Sequence, residues 1–266
     1  MLCSDLYRKI SGFLVLAALA SCNAPLNEEP EIIVTLDPEF TVDLFEQRDA
    51  VDGAPVFGLW MESMKQFDCG NYNIEATVQV QAGAVVVELQ EIRKPDTCLG
   101  APGPAKGFLP VGNLANGTYQ FSLSLSPVIR SEGTLRVQSG HYELSLPVQQ
   151  GIDFQNRVLE SIPDNYIWGY ANTPAEPDQP VADQLVQHLK AFTLEPALMP
   201  GFYSYFTISG TGQYFFHRSI APAGQHRPFL RRLPAGPDDV RDVLQGYRND
   251  PGQPLEVRCL STFGEL

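Results

Sequence analysis

The side chains that could carry catalysis in this sequence are four histidines and a few pairs of acids. The histidines are His141, His188, His217 and His226. None of them stands at zinc-ligand spacing from a second ligand, and the sequence has no Gly-x-Ser-x-Gly elbow and no glycine-rich phosphate loop. The pair Asp238–Asp239 suits the start of a helix, where the helix dipole favours anions. The sequence therefore predicts no catalytic residue, no metal site and no cofactor, and a non-enzyme is the preferred interpretation.

Two clusters of side chains are candidate binding groups. The aromatic group is Tyr203, Tyr205, Tyr214 and Phe216, and the basic group is Arg227, Arg231 and Arg232. Exposed aromatic rings can stack on sugars or anchor a partner protein, and clustered arginines can hold an anionic ligand or an acidic partner. The alternatives are that the rings pack into a core and that nearby aspartates neutralise the arginines. We prefer these alternatives for both groups.

The first residues have the three parts of a secretory signal peptide. Arg8 and Lys9 supply positive charge, residues 10–20 are almost wholly apolar, and small residues follow up to Cys22. The apolar run is about half of the ~20 residues that a membrane-spanning helix needs. We therefore expect a cleaved leader, residues 1–21, and no permanent transmembrane helix.

The segment Leu19-Ala20-Ser21-Cys22 resembles the lipobox of bacterial lipoproteins. The resemblance implies cleavage before Cys22, lipid on its sulfur, and a protein held on a membrane. The alternative is an ordinary signal peptide that happens to carry a cysteine. Residues 22–38 are predicted to be an acidic, proline-containing tether. Its acids also resemble surface-export signals of some Bacteroidota lipoproteins, although a plain flexible spacer is the preferred interpretation.

Three cysteines remain after export and lipidation. Cys69 and Cys98 both stand beside turn residues, and in an exported protein they are a natural disulfide pair. Cys259 alternates with Leu255 and Val257, which predicts that it points into a core as an inert thiol.

Charge and composition narrow the function classes. The chain of 266 residues has a formal net charge of −13, which opposes binding to nucleic acid and to anionic lipid. Its 44% hydrophobic residues are enough for real cores, and its 22 glycines and 22 prolines favour many turns and short strands. We therefore exclude nucleic acid as a partner and expect one or two globular domains.

Hydrophobic alternation predicts β-strands through the first half of the chain. The clearest runs are 72–80, 85–89 and 119–125, with further strands at 32–36, 40–45, 56–61, 133–137 and 142–146. Residues 95–107 are rich in proline and glycine and are predicted to be a loop. Short strands between frequent turns favour an antiparallel β-sandwich over residues 39–150. The segment Leu114–Tyr119, followed by alternation, resembles strand entries of prealbumin-like modules, and an Ig-like sandwich fits equally well.

Residues 151–266 follow a different pattern. Strands are predicted at 166–170, 202–208, 213–217 and 255–259. One helix opens at Pro180, with Asp178 as its N-cap, and a second opens at Pro237. The order β-α-β-β-α-β is that of a ferredoxin-like α+β domain.

The sequence as a whole thus predicts a mainly β protein with a smaller α+β part. We expect the protein in the bacterial cell envelope, anchored through Cys22 to a membrane, which we expect to be the outer membrane. The sequence does not indicate which face of that membrane it occupies. The expected function is non-catalytic binding or structural support, with an envelope protein or a glycan as the partner. The alternative is a hydrolase of glycan or cell-wall substrates whose site carries no recognisable motif.

Overall fold

The computed structural model describes residues 36–173, 179–217, 226–249 and 255–266. These residues belong to one compact unit. The predicted leader, the lipidated Cys22 and the N-cap at Asp178 lie outside the described residues, as does the strand predicted at 32–36 apart from Leu36, which is not in a strand.

The described residues form seventeen strands and two helices, so the prediction of a mainly β protein with a smaller helical part is confirmed. The strands are β1 (Phe40–Arg48), β2 (Pro55–Phe67), β3 (Asn73–Gln81), β4 (Ala84–Arg93), β5 (Gly103–Pro110), β6 (Gly117–Ser126), β7 (Ile129–Gln138), β8 (His141–Ser145), β9 (Ile152–Phe154), β10 (Val158–Glu160), β11 (Tyr166–Asn172), β12 (Gly201–Phe202), β13 (Phe206–Ile208), β14 (Tyr214–Phe216), β15 (His226–Arg232), β16 (Glu256–Ser261) and β17 (Gly264–Glu265). The helices are α1 (Gln179–Phe192) and α2 (Asp238–Arg248).

Ten strands form one large sheet in the order β10-β8-β7-β6-β4-β3-β5-β2-β1-β9. The sheet curls until its two edge strands, β9 and β10, approach each other, since only residues 155–157 separate them in the chain. Leu44 of β1 donates its backbone N–H to the carbonyl of Asn156 (3.2 Å), and Leu144 of β8 donates to the carbonyl of Arg157 (2.8 Å). The inward-facing side chains of all these strands therefore share one interior.

The predicted alternation along the strands places apolar side chains in this interior. Val85 and Val87 of β4 and Phe121 and Leu123 of β6 are buried, whereas Val86 and Ser122, which alternate with them, are only partly buried. The ring of Phe57 stacks on Tyr142 with centroids 4.2 Å apart, which joins strands that are distant in the sheet order. The sheet is mixed and not wholly antiparallel as predicted, because β4 and β6 run parallel.

The prediction of a loop over residues 95–107 is wrong for residues 103–107, which belong to strand β5. β5 begins at Gly103 and pairs with β2, with Ala105 and Leu109 facing the interior. A Cβ added at Gly107 would lie 2.6 Å from the carbonyl oxygen of Ile74, so glycine is what allows β5 to approach β3 closely. The glycines and prolines that indicated a loop are thus part of a strand.

The two predictions about cysteine pairing are confirmed. Cys69, just after β2, and Cys98, in the loop after β4, form a disulfide with a Cα–Cα distance of 5.4 Å. Cys259 on β16 is a free thiol that is fully buried, and burial raises its pKa to about 12. Such a thiol is not a nucleophile at neutral pH.

The second sheet has the order β15-β11-β16-β17, and both helices pack on one of its faces. Ile167 and Ala171 of β11 face the helices, where Leu185 and Leu189 of α1 and Leu244 of α2 are buried against them. Tyr166, Trp168 and Tyr170, which alternate with them, face the other way.

The strands predicted at 202–208 and 213–217 pair with each other but do not join this second sheet. They belong to a separate sheet, β12-β13-β14, and the first of them is broken near Ser204, whose φ is +61°. The strand beside β11 is instead β15, where the sequence indicated only a basic cluster. The ferredoxin-like strand order is therefore not confirmed.

An aromatic cluster, which we call the aromatic junction, fills the space between the large sheet and the C-terminal strands. It includes Phe45, Trp60 and Phe108 from the large sheet together with Trp168, Tyr205 and Phe206. Residues on both sides of the predicted domain boundary at 150/151 thus contribute to one buried cluster. Among the described residues, no helix has the length and hydropathy needed to cross a bilayer.

Candidate functional site

A groove of about 500 Å³ lies between the two helices, on the side away from the second sheet. Its lining comes from both helices: Gln184, His188 and Phe192 from α1, and Asp242, Val243, Gly246 and Tyr247 from α2. This volume lies within the range of ~300–1,000 Å³ that is usual for binding sites. We call this feature the helix groove.

The positions of apolar residues along each helix explain why the groove forms. The innermost positions, Leu185 and Leu189 on α1 and Val240 and Leu244 on α2, are fully buried against the sheet. Beyond these positions, Phe192 on α1 and Val243 and Tyr247 on α2 line the groove, and Phe192 is 39% exposed.

Aromatic rings surround the middle of the groove. The His188 imidazole lies 6.3 Å from the ring of Phe192 and 6.1 Å from the ring of Tyr247, measured between centroids. Opposite them, a Cβ placed on Gly246 would meet no atom within 4 Å, so this part of the groove is open. The rings can therefore contact an incoming apolar or aromatic group.

The charge around the groove is acidic. Asp242 lies in the lining, and an adjoining depression is lined by Asp183, Gln184, Gln187 and His188. The lining residues that the structure describes include no Lys or Arg. Asp183 is bonded to Arg227, whose Nε donates to it at 2.5 Å, whereas Asp242 has no ion pair among the described residues. A cationic group would therefore find a carboxylate at this rim.

A second group of polar side chains lies between the large sheet and the small sheet. His217 follows β14, and its Nε2 is 3.2 Å from the hydroxyl oxygen of Thr207 on β13. Burial lowers the pKa of His217, and the nearby carboxylate of Asp43 on β1 acts in the opposite direction. Burial also raises the pKa of Asp43, although hydrogen bonds from Asn156 oppose this change.

This second group has part of the chemistry of a hydrolase. A neutral imidazole in contact with a hydroxyl can accept its proton, as in nucleophilic catalysis. The geometry departs from a catalytic triad, because Oδ1 of Asp43 accepts hydrogen bonds from the backbone N and Nδ2 of Asn156 (2.8 and 2.9 Å), and no hydrogen bond joins Asp43 to His217. The arrangement matches a hydrogen-bonded structural contact at the junction of the two sheets more closely than a triad.

The structure separates the predicted aromatic group into two sets. Tyr203 and Tyr205 are buried in the aromatic junction, where burial raises the pKa of Tyr203 to about 12. Tyr214 and Phe216 are partly buried against the same cluster. Phe215, between them, is the ring that faces outward, 56% exposed.

The predicted basic group lies on strand β15, and two of its three arginines are already paired. Arg231 is 6% exposed, forms an ion pair with Glu195, and donates from Nε to the hydroxyl of Thr193 (3.0 Å). Arg227 is bonded to Asp183, and Nε of Arg232 is buried without a hydrogen-bond partner among the described residues. A binding role for the aromatic and basic groups stays a prediction.

Sequence reasoning did not identify the helix groove. The periodic apolar residues of α1 and α2 indicate only that one face of each helix packs on a sheet, so they predict no groove between the helices. One signal was available: the apolar positions of each helix end in an aromatic residue, Phe192 on α1 and Tyr247 on α2.

No group of three or more metal-ligating side chains occurs among the described residues. Comparison with known proteins found no matching family model, no matching curated protein and no matching solved structure.

Proposed function

We propose that this chain is a lipid-anchored protein of the bacterial cell envelope that binds a partner protein without catalysis. The anchor is supported by the lipobox-like segment that ends at Cys22. Binding is supported by one observation above all: the helix groove presents aromatic rings and a carboxylate on the outer surface of the two helices. Its described lining holds one histidine and one acid, which is a poor set for acid–base catalysis and a good set for recognition.

The occupant that fits the groove is a segment carrying an apolar side chain beside Lys or Arg. The apolar side chain would contact Phe192, Val243 and Tyr247, and its charged neighbour would pair with Asp242. Charge complementarity supports a basic partner over an acidic one, because the whole chain carries −13.

We also propose, as a finer description of the fold, an Ig-like or prealbumin-like sandwich for residues 39–150 and a ferredoxin-like domain for residues 151–266. The first is supported by short strands that surround one interior, and the second by two helices on one face of a mainly antiparallel sheet. An experimentally determined structure with a topology comparison tests both.

Cys22→Ser is expected to release the protein from membranes into the soluble fraction, since lipid attachment needs the sulfur at this position. The measurement is fractionation of cells expressing the full chain, with mass spectrometry of the mature N-terminus. Cys259→Ser is the matched control and should stay with the membrane. An unmodified Cys22 thiol in the wild-type protein, or a leader still attached, would overturn the anchor.

Asp242→Lys is expected to weaken partner binding by about ten-fold or more, because it places a cation where the proposed partner presents one; ten-fold corresponds to about 1.4 kcal/mol. The measurement is photo-crosslinking from Gln184 on the opposite wall of the groove, in the lipidated protein in its native envelope. The crosslinked peptide should hold an apolar residue flanked by Lys or Arg.

Asp239→Lys is the matched control, since it makes the same change on the same helix at an exposed position outside the groove lining. Equal crosslinking in both variants, or a crosslinked peptide without basic residues, would contradict the proposed occupant.

A hydrolase acting on glycan or cell-wall substrates is the second candidate. The observation in its favour is that Asp43 from the large sheet and His217 from the C-terminal part converge, with Thr207 in contact with the imidazole. Turnover of purified cell-wall glycan by the wild-type protein, lost in His217→Gln and kept in His188→Gln, would establish this candidate in place of the first.

A further inference from the structure

Helix α2 carries a glycine that its own packing does not require. Gly246 lies near the C-terminal end of this helix, in the lining of the helix groove. Its φ is not positive, and a Cβ placed on it would meet no atom within 4 Å. Alanine would therefore fit at this position, and it would favour the helix more than glycine does, because glycine loses more conformational freedom on folding.

The missing side chain leaves a notch in one wall of the groove. Asp242 and Gly246 are four residues apart, as are Val243 and Tyr247, so α2 presents two neighbouring rows of side chains there. The first row has no side chain at Gly246, and this residue is exposed. A binding partner can therefore approach the backbone of α2 more closely at Gly246 than at a position that carries a side chain.

The other wall is a single row of side chains on α1. Gln184, His188 and Phe192 are four residues apart, and all three are exposed. At a rise of about 1.5 Å per residue, this row runs about 12 Å along the helix. A helix rises about 5.4 Å per turn, so the row is as long as about two turns of an occupying helix.

The walls of the groove also restrict the conformation of the occupant. Both walls are helices, whose backbone N–H and C=O groups bond mainly within the helix itself. An extended strand in the groove would find no sheet edge to pair with, so its backbone groups would lose water without gaining partners. A helix bonds its own backbone groups internally and can enter the groove without this cost.

We propose that the helix groove binds an amphipathic helix of the partner protein, which approaches α2 most closely at Gly246. This inference rests on the proposed function and specifies the form of the partner. Apolar side chains three and four residues apart on that helix would contact Phe192, Val243 and Tyr247. A Lys or Arg on the same helix would pair with Asp242 at the rim.

The probes are two synthetic peptides of about 18 residues with the same content of Leu, Lys and Ala, a length at which a helix can form. In the first peptide Leu recurs with the period of an amphipathic helix, and in the second it alternates as in a strand. Fluorescence anisotropy with the full chain measures the affinity for each. The helical peptide is expected to bind saturably, at least about ten-fold more tightly than the alternating one.

Gly246→Ala is expected to stabilise the protein and to weaken binding at the same time. The better helix former should raise Tm by about 1–4 °C. The added methyl group should lower the affinity for the helical peptide by about ten-fold, because it occupies the place of closest approach. A purely structural role for this position would not give these two opposite effects.

Gln245→Ala is the matched control, since it introduces the same residue at the neighbouring position, which is exposed and outside the groove lining. Neither variant changes the charge, so general attraction between the acidic protein and the basic peptides is the same in both. The control should bind the helical peptide as the wild type does.

Three results would overturn the helical occupant: no saturable binding of the helical peptide, equal affinity of the wild type for both peptides, or equal affinity of Gly246→Ala and Gln245→Ala for the helical one. A Gly246→Ala protein less stable than the wild type would also overturn it, by showing that the fold itself needs the glycine. The proposed partner binding fails on a different result, equal crosslinking in Asp242→Lys and Asp239→Lys, so the two failures are distinguishable.

Discussion

Arg48→Met is expected to lower the free energy of unfolding by about 3–5 kcal/mol, whereas Glu46→Gln should cost much less. The two side chains form a buried ion pair, with Nη2 of Arg48 2.8 Å from Oε1 of Glu46 and side-chain exposures of 6% and 4%. Without Arg48, the Glu46 carboxylate loses its charge partner and keeps hydrogen bonds from Ser161 and the backbone of Ile162. Without the carboxylate, Arg48 still donates to the carbonyls of Gly53 and Ile162. Urea unfolding of both variants measures this asymmetry.

The same pair gives a pH dependence with a defined sign. Burial raises the pKa of the Glu46 carboxyl, even though Arg48 and Ser161 act to lower it. The folded protein therefore binds this proton more tightly than the unfolded chain, and stability falls as the pH rises from 4.5, the ordinary value, through the folded-state pKa. Removing Arg48 raises the pKa of Glu46 further, because Arg48 acts to lower it. The loss of folding stability caused by Arg48→Met should therefore become smaller as the pH falls toward 4.5.

Arg93→Met is the control for losing an arginine. Arg93 pairs with Glu75 at 2.9 Å but is 63% exposed, and exposed pairs contribute about 0–1 kcal/mol. Equal losses in Arg48→Met and Glu46→Gln, or a deficit of Arg48→Met that does not change with pH, would contradict this account of the pair.

Trp168→Ala is expected to lower the free energy of unfolding by about 3–5 kcal/mol, the range for truncating a buried aromatic residue. Trp168 is fully buried at the centre of the aromatic junction, with ring centroids 5.3 Å from Tyr205 and 6.4 Å from Phe206. Its removal leaves a cavity between strands that already pack on both sides, and the surrounding rings cannot close it. Chemical unfolding monitored by circular dichroism measures the loss.

Phe215→Ala is the matched control, since it truncates an aromatic residue that is 56% exposed on β14, and its effect should stay within about 0.5 kcal/mol. The cooperativity of the unfolding transition is a second prediction. Because the aromatic junction joins residues from both halves of the chain, the wild-type protein should unfold in one cooperative step. A loss in Trp168→Ala no larger than that in Phe215→Ala would contradict the role assigned to the junction.

Local patterns in the sequence were enough to predict most strands. The alternation at residues 72–80 and 119–125 corresponds to β3 and β6, and the helices begin and end close to the residues that indicated them. Asn249 is the C-cap of α2, and the helix-breaking residues Pro251 and Gly252 follow it in the sequence. These features depend on neighbours a few residues apart, which is the range over which a sequence pattern is informative.

Five strands were not predicted, namely β5, β9, β10, β15 and β17. Two of them, β5 and β15, show why, because their signal is not local. β5 contains two prolines and two glycines, and it is a strand because Gly107 lets it fit closely against Ile74 of β3. β15 carries four charged or titratable side chains, and it is a strand because β11 lies beside it and because Thr193 and Glu195 pair with Arg231. Tertiary contacts overrode local composition in both cases.

The candidate sites also depend on tertiary contacts that local sequence patterns do not reveal. For Tyr203 and Tyr205 the sequence favours packing into a core over availability for binding, but it does not identify which residues cover them. The aromatic junction covers them. The helix groove forms between two helices that are far apart in the chain, so no local period reveals it.

By itself the sequence determined the mainly β class, the Cys69–Cys98 disulfide, the buried thiol of Cys259 and the two helices, because each follows from residue type and short-range spacing. Only the tertiary structure decided that the two halves share an aromatic core, that Arg227 and Arg231 of β15 are paired, and which apolar side chains stay exposed between the helices. Those outcomes depend on which surfaces, distant from each other in the chain, pack together. A sequence pattern indicates whether a side chain tends to be buried, but it does not identify the residues that bury it.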